Sequence, residues 1–316
     1  MSSERHLIGL RTNAWRIHVH GGPEVMRWES VQLPPPRAGQ ALVRHTAIGV
    51  HDLDLEQRRG DVTAVLPCGL GVQALGVVES VAPGTMHLSQ GDRVAYAGDC
   101  DGTYCEAAIV PVGRLLKVPD SVPDKVAGAL LDGLIAADLL HRIRRVSKGD
   151  RVLIAGTSTT PGRILGQWAS HLGADVVDLA GNAGDIEDAE LIRSRGIELA
   201  AEAGFDVAFD FIGTATVVDA LRSVVPPSSY VGCNDHYAWG DGRAPEGGTK
   251  GYSRADLASH ATCAADLREL ASLWFSAVAL RVVKVQVESV YPLRHAPQAH
   301  AAQEARGYAC GAVMLP

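Results

Sequence analysis

Aromatic residues are scarce in this 316-residue chain, at 5% with only four Phe, so no stacking platform for nucleic-acid bases is indicated. Clusters of Lys and Arg are missing too. With 29 cations against 36 acids, the net charge is −7 and the pI near 5.9, which argues against nucleic acid or an anionic membrane as the main partner. No apolar run reaches the ~18 residues of a membrane span. The N-terminal MSSERHLIGL lacks the basic, then apolar, then small-residue order of a signal peptide. The six cysteines (Cys68, Cys100, Cys105, Cys233, Cys263, Cys310) form no CxxC pair and no repeat, which signals neither zinc nor disulfides and fits a reduced, cytoplasmic protein. A small molecule is the expected partner.

What is present is a chain 47% hydrophobic and 21% charged, enough for two domains with a sizeable core. Its centre is the stretch Gly149–Gly181, GDRVLIAGTSTTPGRILGQWASHLGADVVDLAG. This reads as a strand Val152–Ala155, a turn Gly156–Thr160, a helix from Pro161 to about His171 and a strand Ala174–Leu179. A βαβ unit that opens on small residues is the pattern of dinucleotide binding, because the backbone can then approach a pyrophosphate seated on the helix N-terminus.

Before it, short alternating or β-branched runs broken by Gly and Pro (Trp15–His20, Gln40–His45, Gly76–Val81, Arg93–Ala97, Ala107–Pro111) predict a compact, mostly antiparallel β domain. From Val126 to Arg145 the apolar period becomes 3.6 and predicts a helix that leads into the second domain. After it come a predicted helix Asp185–Arg195, strand Asp206–Asp210, helix Ala215–Val225 and strand Tyr230–Cys233, the alternation of a parallel sheet. Asn234–Gly251 is Gly-rich and aperiodic, hence a long loop. A helix over Ala264–Ser276 and strands near Val282–Gln286 and Gly311–Leu315 close the chain.

Several segments in combination carry a family resemblance: HGGPEVMRWESVQLPPPRAGQALVRHTAIGVHDLD, LGVVESVAPGTMHLSQGDRVAYAG, GTYCEAAIVPVGRLLKVPD, GDRVLI, FDVAFDFIG and VESVYPLRHAPQAHAAQEARG. Together they resemble the medium-chain dehydrogenase/reductase superfamily, in its zinc-independent quinone oxidoreductase group. The resemblance implies an α/β fold with a GroES-like β domain over residues 1–122 and 262–316, and a Rossmann-type doubly wound parallel sheet over 123–261. It also implies a homodimer, and an interdomain site where NADPH reduces a conjugated carbonyl, quinone or enoyl substrate.

The chain departs from that family where the cofactor would lie. Zinc-dependent relatives have a cysteine where this chain has His51, a His-Glu pair where it has Val72-Gln73, and a four-cysteine loop that it lacks, so no zinc is expected. In the turn, Gly156 and Gly162 are kept, but Thr159 and Thr160 replace glycines, and β-branched residues resist positive φ. Thr160 reads as the helix N-cap with Pro161 first in the helix, and Pro161 removes one N–H from the anion site. Arg163 could reach a phosphate in compensation. Relatives follow the second strand with a Lys for the 2′-phosphate, where this chain has Asp185. Ile135 stands in place of a cofactor-contacting hydroxyl. Asp178 sits two residues before the family's acidic position and reads as a strand-end polar residue.

His51, Asp54, Tyr104 and Asp132 are the candidate catalytic groups, since an imidazole near a carboxylate is a usable general base near neutral pH. Asp54 as a structural residue is the competing reading. His236 and Tyr237 could form a lid. The candidate cofactor residues are Gly156, Thr159, Thr160, Gly162 and Arg163, with the cofactor either absent or NADPH. Two functions follow. One is a non-redox acid/base reaction (cyclisation, elimination or isomerisation) of a conjugated carbonyl or secondary metabolite in an eroded cofactor site. The other is a zinc-independent, NADPH-dependent quinone or enoyl reductase.

Overall fold

The computed structural model describes residues 10–85, 87–98, 102–179, 189–201, 204–233, 250–251, 264–306 and 311–316. In chain order the strands and helices are β1 (Leu10–Ile17), β2 (Met26–Leu33), β3 (Gln40–Val50), α1 (Asp52–Arg59), β4 (Cys68–Gly69), β5 (Gln73–Val81), β6 (Arg93–Ala97), β7 (Ala107–Pro111) and β8 (Leu116–Lys117). Then follow α2 (Leu130–Asp138), β9 (Arg151–Ala155), α3 (Thr160–His171), β10 (Asp175–Asp178), α4 (Ala189–Ala201), β11 (Val207–Asp210), α5 (Ala215–Val224), β12 (Tyr230–Gly232) and β13 (Lys250–Gly251). The chain ends with α6 (Ala264–Ala279), β14 (Val287–Pro292), α7 (Ala296–Arg306) and β15 (Gly311–Leu315).

Two units result: Met1–Leu131 with Cys263–Arg268 and Val285–Pro316, and Asp132–Thr262 with Glu269–Lys284. In the first, a seven-stranded sheet runs β14-β15-β3-β5-β6-β8, with β7 also on β3, and a smaller sheet runs β2-β1-β4. Its pairings are antiparallel except β14 on β15. β3 is the longest strand and the most widely paired, and its inward residues Ala41, Val43, Ile48 and Val50 join Ile17, Leu55, Leu70, Tyr96 and Met314 in one core. A β-branched, alternating strand buries one side chain in two against that core. The second unit is a five-stranded sheet, β10-β9-β11-β12-β13, parallel throughout. β10 lies on one side of β9 and β11 on the other, so the chain reverses its winding direction there. In such sheets, ligands bind at the carboxyl ends of the strands flanking that reversal.

Some expectations move. The chain changes unit after Leu131, not at residue 122, and residues 269–284 belong to the second unit, not the first. The cause is Trp274, 0% exposed, whose ring packs 6.3 Å from that of Trp168 and fills the space over Gly133, where a Cβ would come within 2.2 Å of the indole. The run 126–145 is helical in three pieces, a 3-10 segment Asp124–Ala129, α2 and a π turn Leu139–Ile143. Val282–Gln286 is not a strand. Val283 and Val285 are buried in alternation, but Arg281 takes a positive φ of 59 and the ladder begins at Val287. Lys250 and Gly251, expected in a loop, form the edge strand β13 on β12. Residues 234–249, with His236 and Tyr237, and Asp185 lie outside the described residues. No described helix is long and apolar enough to cross a membrane.

Two buried histidines set a pH response. His45 is 3% exposed, with Nδ1 2.7 Å from the Cys105 carbonyl and Nε2 2.7 Å from the Tyr96 hydroxyl. Burial pulls it from 6.5 down to about 4, and burial with Arg58 and Arg59 pulls His300 down to about 3. Between those values and ~6.5 the unfolded chain binds more protons than the folded one, so stability rises with pH across that window. Unfolding free energy is expected to fall as pH drops from about 6.5 to about 4, by on the order of 3 kcal/mol from His45 alone. Denaturant midpoints across that range check this, with His45→Gln flattening part of the slope.

Candidate functional site

The turn after β9 sits at the point of reversal. Gly156 takes φ +100, a backbone conformation that side chains resist. Gly162 presses on it: a Cβ there would stand 2.1 Å from the Gly156 carbonyl oxygen. Both glycines are thus required by the path of the chain. Thr159, not Thr160, is the N-cap. It takes φ −77 and ψ 158, its hydroxyl accepts from Gly162 N at 3.2 Å and donates to Gly156 O at 2.7 Å. The expectation that a β-branched residue would distort this turn fails for a plain reason, since Thr159 occupies extended φ/ψ where branching costs nothing. Pro161 therefore stands second in α3, still within the first turn, where its missing N–H breaks no helical bond.

Charges gather on the turn. Arg163 Nη2 donates to the Ser158 carbonyl at 3.2 Å, so its guanidinium stays on the turn. The Thr157 hydroxyl donates to Asp178 Oδ2, tying the end of β10 to the turn. Asp178 is the last residue of β10, a strand-end polar residue as expected from the sequence. Ile135 is half-buried in α2. Asp210, at the end of β11, is fully buried and spent on structure: Oδ1 accepts from Ile212 N and Gly213 N at 2.9 Å each, and Oδ2 from the Tyr230 hydroxyl at 2.8 Å.

His51, Asp54 and Tyr104 come together within the first unit. His51 is the N-cap of α1, its Nδ1 accepting from Leu53 N at 3.2 Å, while Asp54 Oδ2 accepts from the backbone N–H of His51 at 2.9 Å. This reciprocal pattern is a capping box, with His and Asp in place of the usual Ser and Glu. Because Nδ1 accepts, a neutral ring carries its proton on Nε2. The same Asp54 oxygen accepts from the Tyr104 hydroxyl at 2.9 Å, and that hydroxyl lies 2.9 Å from His300 Nε2. Tyr104 gives its proton to Asp54, so His300 Nε2–H donates to Tyr104. The buried Nδ1 of His300, which has no partner, is then the nitrogen without a proton, in agreement with the ring's lowered pKa. Burial, and then the charge of Asp54, push the Tyr104 phenol well above its usual range.

Tyr104 as a proton donor to substrate is corrected by this geometry: it is 1% exposed and its hydroxyl is committed on both sides. Asp54, 0% exposed, acts as a helix cap. One turn along α1, the fully buried Arg58 pairs with Glu304 of α7, four residues after His300. The i,i+4 pairs Asp54/Arg58 and His300/Glu304 share a face on each helix, which could have flagged His300, Arg58 and Glu304 in the sequence. Asp132, 6% exposed in the first turn of α2, belongs to the second unit. Among the described residues no group of three or more His, Cys, Asp or Glu could hold a metal ion.

A chain that carries both a β unit of this topology and a parallel unit with a glycine turn at its reversal has the architecture of the dehydrogenase/reductase class. Residues 37–120 match the alcohol dehydrogenase GroES-like domain and residues 172–311 the zinc-binding dehydrogenase family. A 2-haloacrylate reductase of Burkholderia is 32% identical over 95% of this chain and 98% of its own length. A mycobacterial quinone oxidoreductase structure is similar with TM-score 0.81 and 30% identity over 96% of this chain and 100% of that one. A mycobacterial structure in complex with NADPH has TM-score 0.79 and 31% identity over the same shares. This chain belongs to the medium-chain dehydrogenase/reductase superfamily, in its quinone oxidoreductase-like group.

Two outcomes check the site's construction. Thr159→Ala is expected to cost about 1 kcal/mol as a lost cap, and Thr160→Ala only a fraction of that, both read from denaturant midpoints. Tyr104→Phe is expected to cost about 1–3 kcal/mol, because it strips a donor from the buried Asp54 carboxylate.

Proposed function

We propose that this protein is a zinc-independent, nicotinamide-dependent reductase of a small electron-poor alkene or quinone. The observation that carries the reading is the turn after β9. Gly156 at φ +100 and Gly162 packed on its carbonyl keep the tight crossing, and Thr159 replaces a glycine at ordinary angles. At Gly162 the Gly156 carbonyl takes the space of a Cβ, so α3 starts close against the end of β9, and the N-terminus of α3 with Arg163 supplies positive charge for a pyrophosphate at the turn. Pro161 removes one donor, and Arg163 offsets that loss. The similar proteins support the reading, since one is named a 2-haloacrylate reductase and another a quinone oxidoreductase, and a third holds NADPH.

When bound, a reduced nicotinamide supplies a hydride. This chain's residues are left to orient the acceptor and supply a proton, and His51 is the group we assign to that task, with Nε2–H as the donor. Asp54 holds the backbone of His51 in place through the capping box. Asp132 stays a candidate second acid. The non-redox acid/base reading, which paired His51 with Asp132 or Asp54, finds no support among the similar proteins, which are named reductases, and Asp54 is committed to the cap of α1. We further propose a homodimer, as the family resemblance implies, and a cytoplasmic location.

Purified protein given reduced nicotinamide and either a 2-haloacrylate or a benzoquinone is expected to oxidise the nicotinamide, followed by its absorbance. His51→Asn keeps a capping acceptor but no titratable proton, and turnover should fall by about 10²-fold or more. No turnover with either acceptor would sink the reductase reading, and full activity of His51→Asn would remove His51 from it.

A further inference from the structure

We infer that His300 of α7 is a positioning residue for His51, acting through Tyr104 and Asp54, so that α7 sets the reactivity of a donor that His300 does not touch. The inference rests on the assignment of His51 as proton donor in the reductase reading above, and deepens it.

Three directed hydrogen bonds make the connection. His300 donates from Nε2 to the Tyr104 hydroxyl at 2.9 Å, that hydroxyl donates to Asp54 Oδ2 at 2.9 Å, and the same oxygen accepts from the backbone N–H of His51 at 2.9 Å. His300 and Asp54 are 0% exposed and Tyr104 1%, and such bonds gain strength away from water. Because Oδ2 is shared between Tyr104 and His51, a shift of the phenol is passed to the His51 backbone. The Leu53 N–H on Nδ1 carries the same shift to the turn of the ring.

Helix capping alone does not call for this chain. A Ser or Thr serves as an N-cap without buried support, whereas here a carboxylate, a phenol and an imidazole are taken out of water behind one cap, each at a cost. The residue they cap is the one assigned to donate, through Nε2, the ring nitrogen outside the cap. Position matters there, since misplacement by about 1 Å can lower a rate by about 10²-fold.

α7 is also registered on α1 by contacts that bypass Tyr104. Gln303 Nε2 lies 3.4 Å from Asp52 Oδ1, and Glu304 pairs with the buried Arg58 and, at 3.6 Å, with Arg59. A substitution at His300 therefore removes the Tyr104 contact while those pairs keep the helix docked.

The test compares His300→Gln, whose amide nitrogen takes the place of Nε2, with His300→Asn, whose shorter side chain falls short of Tyr104. Unfolding temperatures report that both are folded. With reduced nicotinamide and whichever of the 2-haloacrylate or the benzoquinone the wild-type chain reduces, His300→Asn should lose about tenfold in kcat with KM within about twofold. His300→Gln should recover most of that loss. In the His51→Asn background, His300→Asn should cost nothing further, because the two residues act as one unit. Nitrogen–proton correlation spectra need no substrate: the backbone signal of His51 should move in His300→Asn and in Tyr104→Phe, and return in His300→Gln. Unchanged kcat in folded His300→Asn, equal losses in the Gln and Asn variants, or a loss that repeats in full on His51→Asn would each overturn the inference. If the wild-type chain reduces neither acceptor, the reductase reading falls. An unmoved His51 signal then removes the positioning as well, while a moved one keeps the coupling of His300 to His51.

Discussion

The second unit depends on one close approach, that of Gly162 to the carbonyl of Gly156. With no room for a Cβ between them, the chain leaves β9, reverses over four residues and starts α3 directly beneath the sheet edge. Everything useful about the region follows from that tightness. Thr159 can bridge from Gly156 O to Gly162 N because the two lie within reach of one hydroxyl. Arg163 can fold back onto Ser158 because the helix begins there, and Thr157 is brought to the end of β10. A substitution at Thr159 or Thr160 changes donors and volume at this corner, whereas one at either glycine changes the path of the backbone.

The first unit is held by a different device, a buried polar chain. A carboxylate with no exposure, a phenol, an imidazole and a guanidinium are expensive to bury singly. Here they hold one another in part: Asp54 receives both the His51 N–H and the Tyr104 hydroxyl, His300 donates to Tyr104, and Arg58 pairs with Glu304, while Arg58 Nε and Nη1 and His300 Nδ1 are buried without a hydrogen-bond partner. The chain ties α1 to α7 and to the segment carrying Tyr104. Its effect at the candidate site is positional, because the residue it caps is His51. Groups that looked catalytic from their types are thereby divided, with Asp54 and Tyr104 serving the scaffold and His51 standing at its edge.

Much of the fold was legible in the sequence because periodicity reports burial directly. The alternation through Gln40–His45 and Ala107–Pro111, and the strand, turn and helix of 149–181, each appear close to where they were expected. The failures have physical causes. Val282–Gln286 alternates because Val283 and Val285 are buried, but burial alternation alone does not supply a ladder partner. The return of residues 269–284 to the second unit was missed because the helix 264–279 looks the same in sequence whichever unit receives it. Only the meeting of Trp274 with Gly133 and Trp168 decides that.

The sequence by itself determined the architecture and family, since small-residue turns, β-branched runs and helical stripes report turns and burial locally. It also determined which groups could do chemistry. The tertiary structure alone decided which of them are committed elsewhere. Asp54 and Tyr104 are fifty residues apart in the chain, and Thr157 and Asp178 twenty-one. Whether such groups meet is a property of packing, because a hydrogen bond depends on distance and direction that residue type does not encode. The same limit applied to the turn. Thr159 read as damage in sequence because its φ was unknown, and it is a cap in the folded chain because its φ is negative.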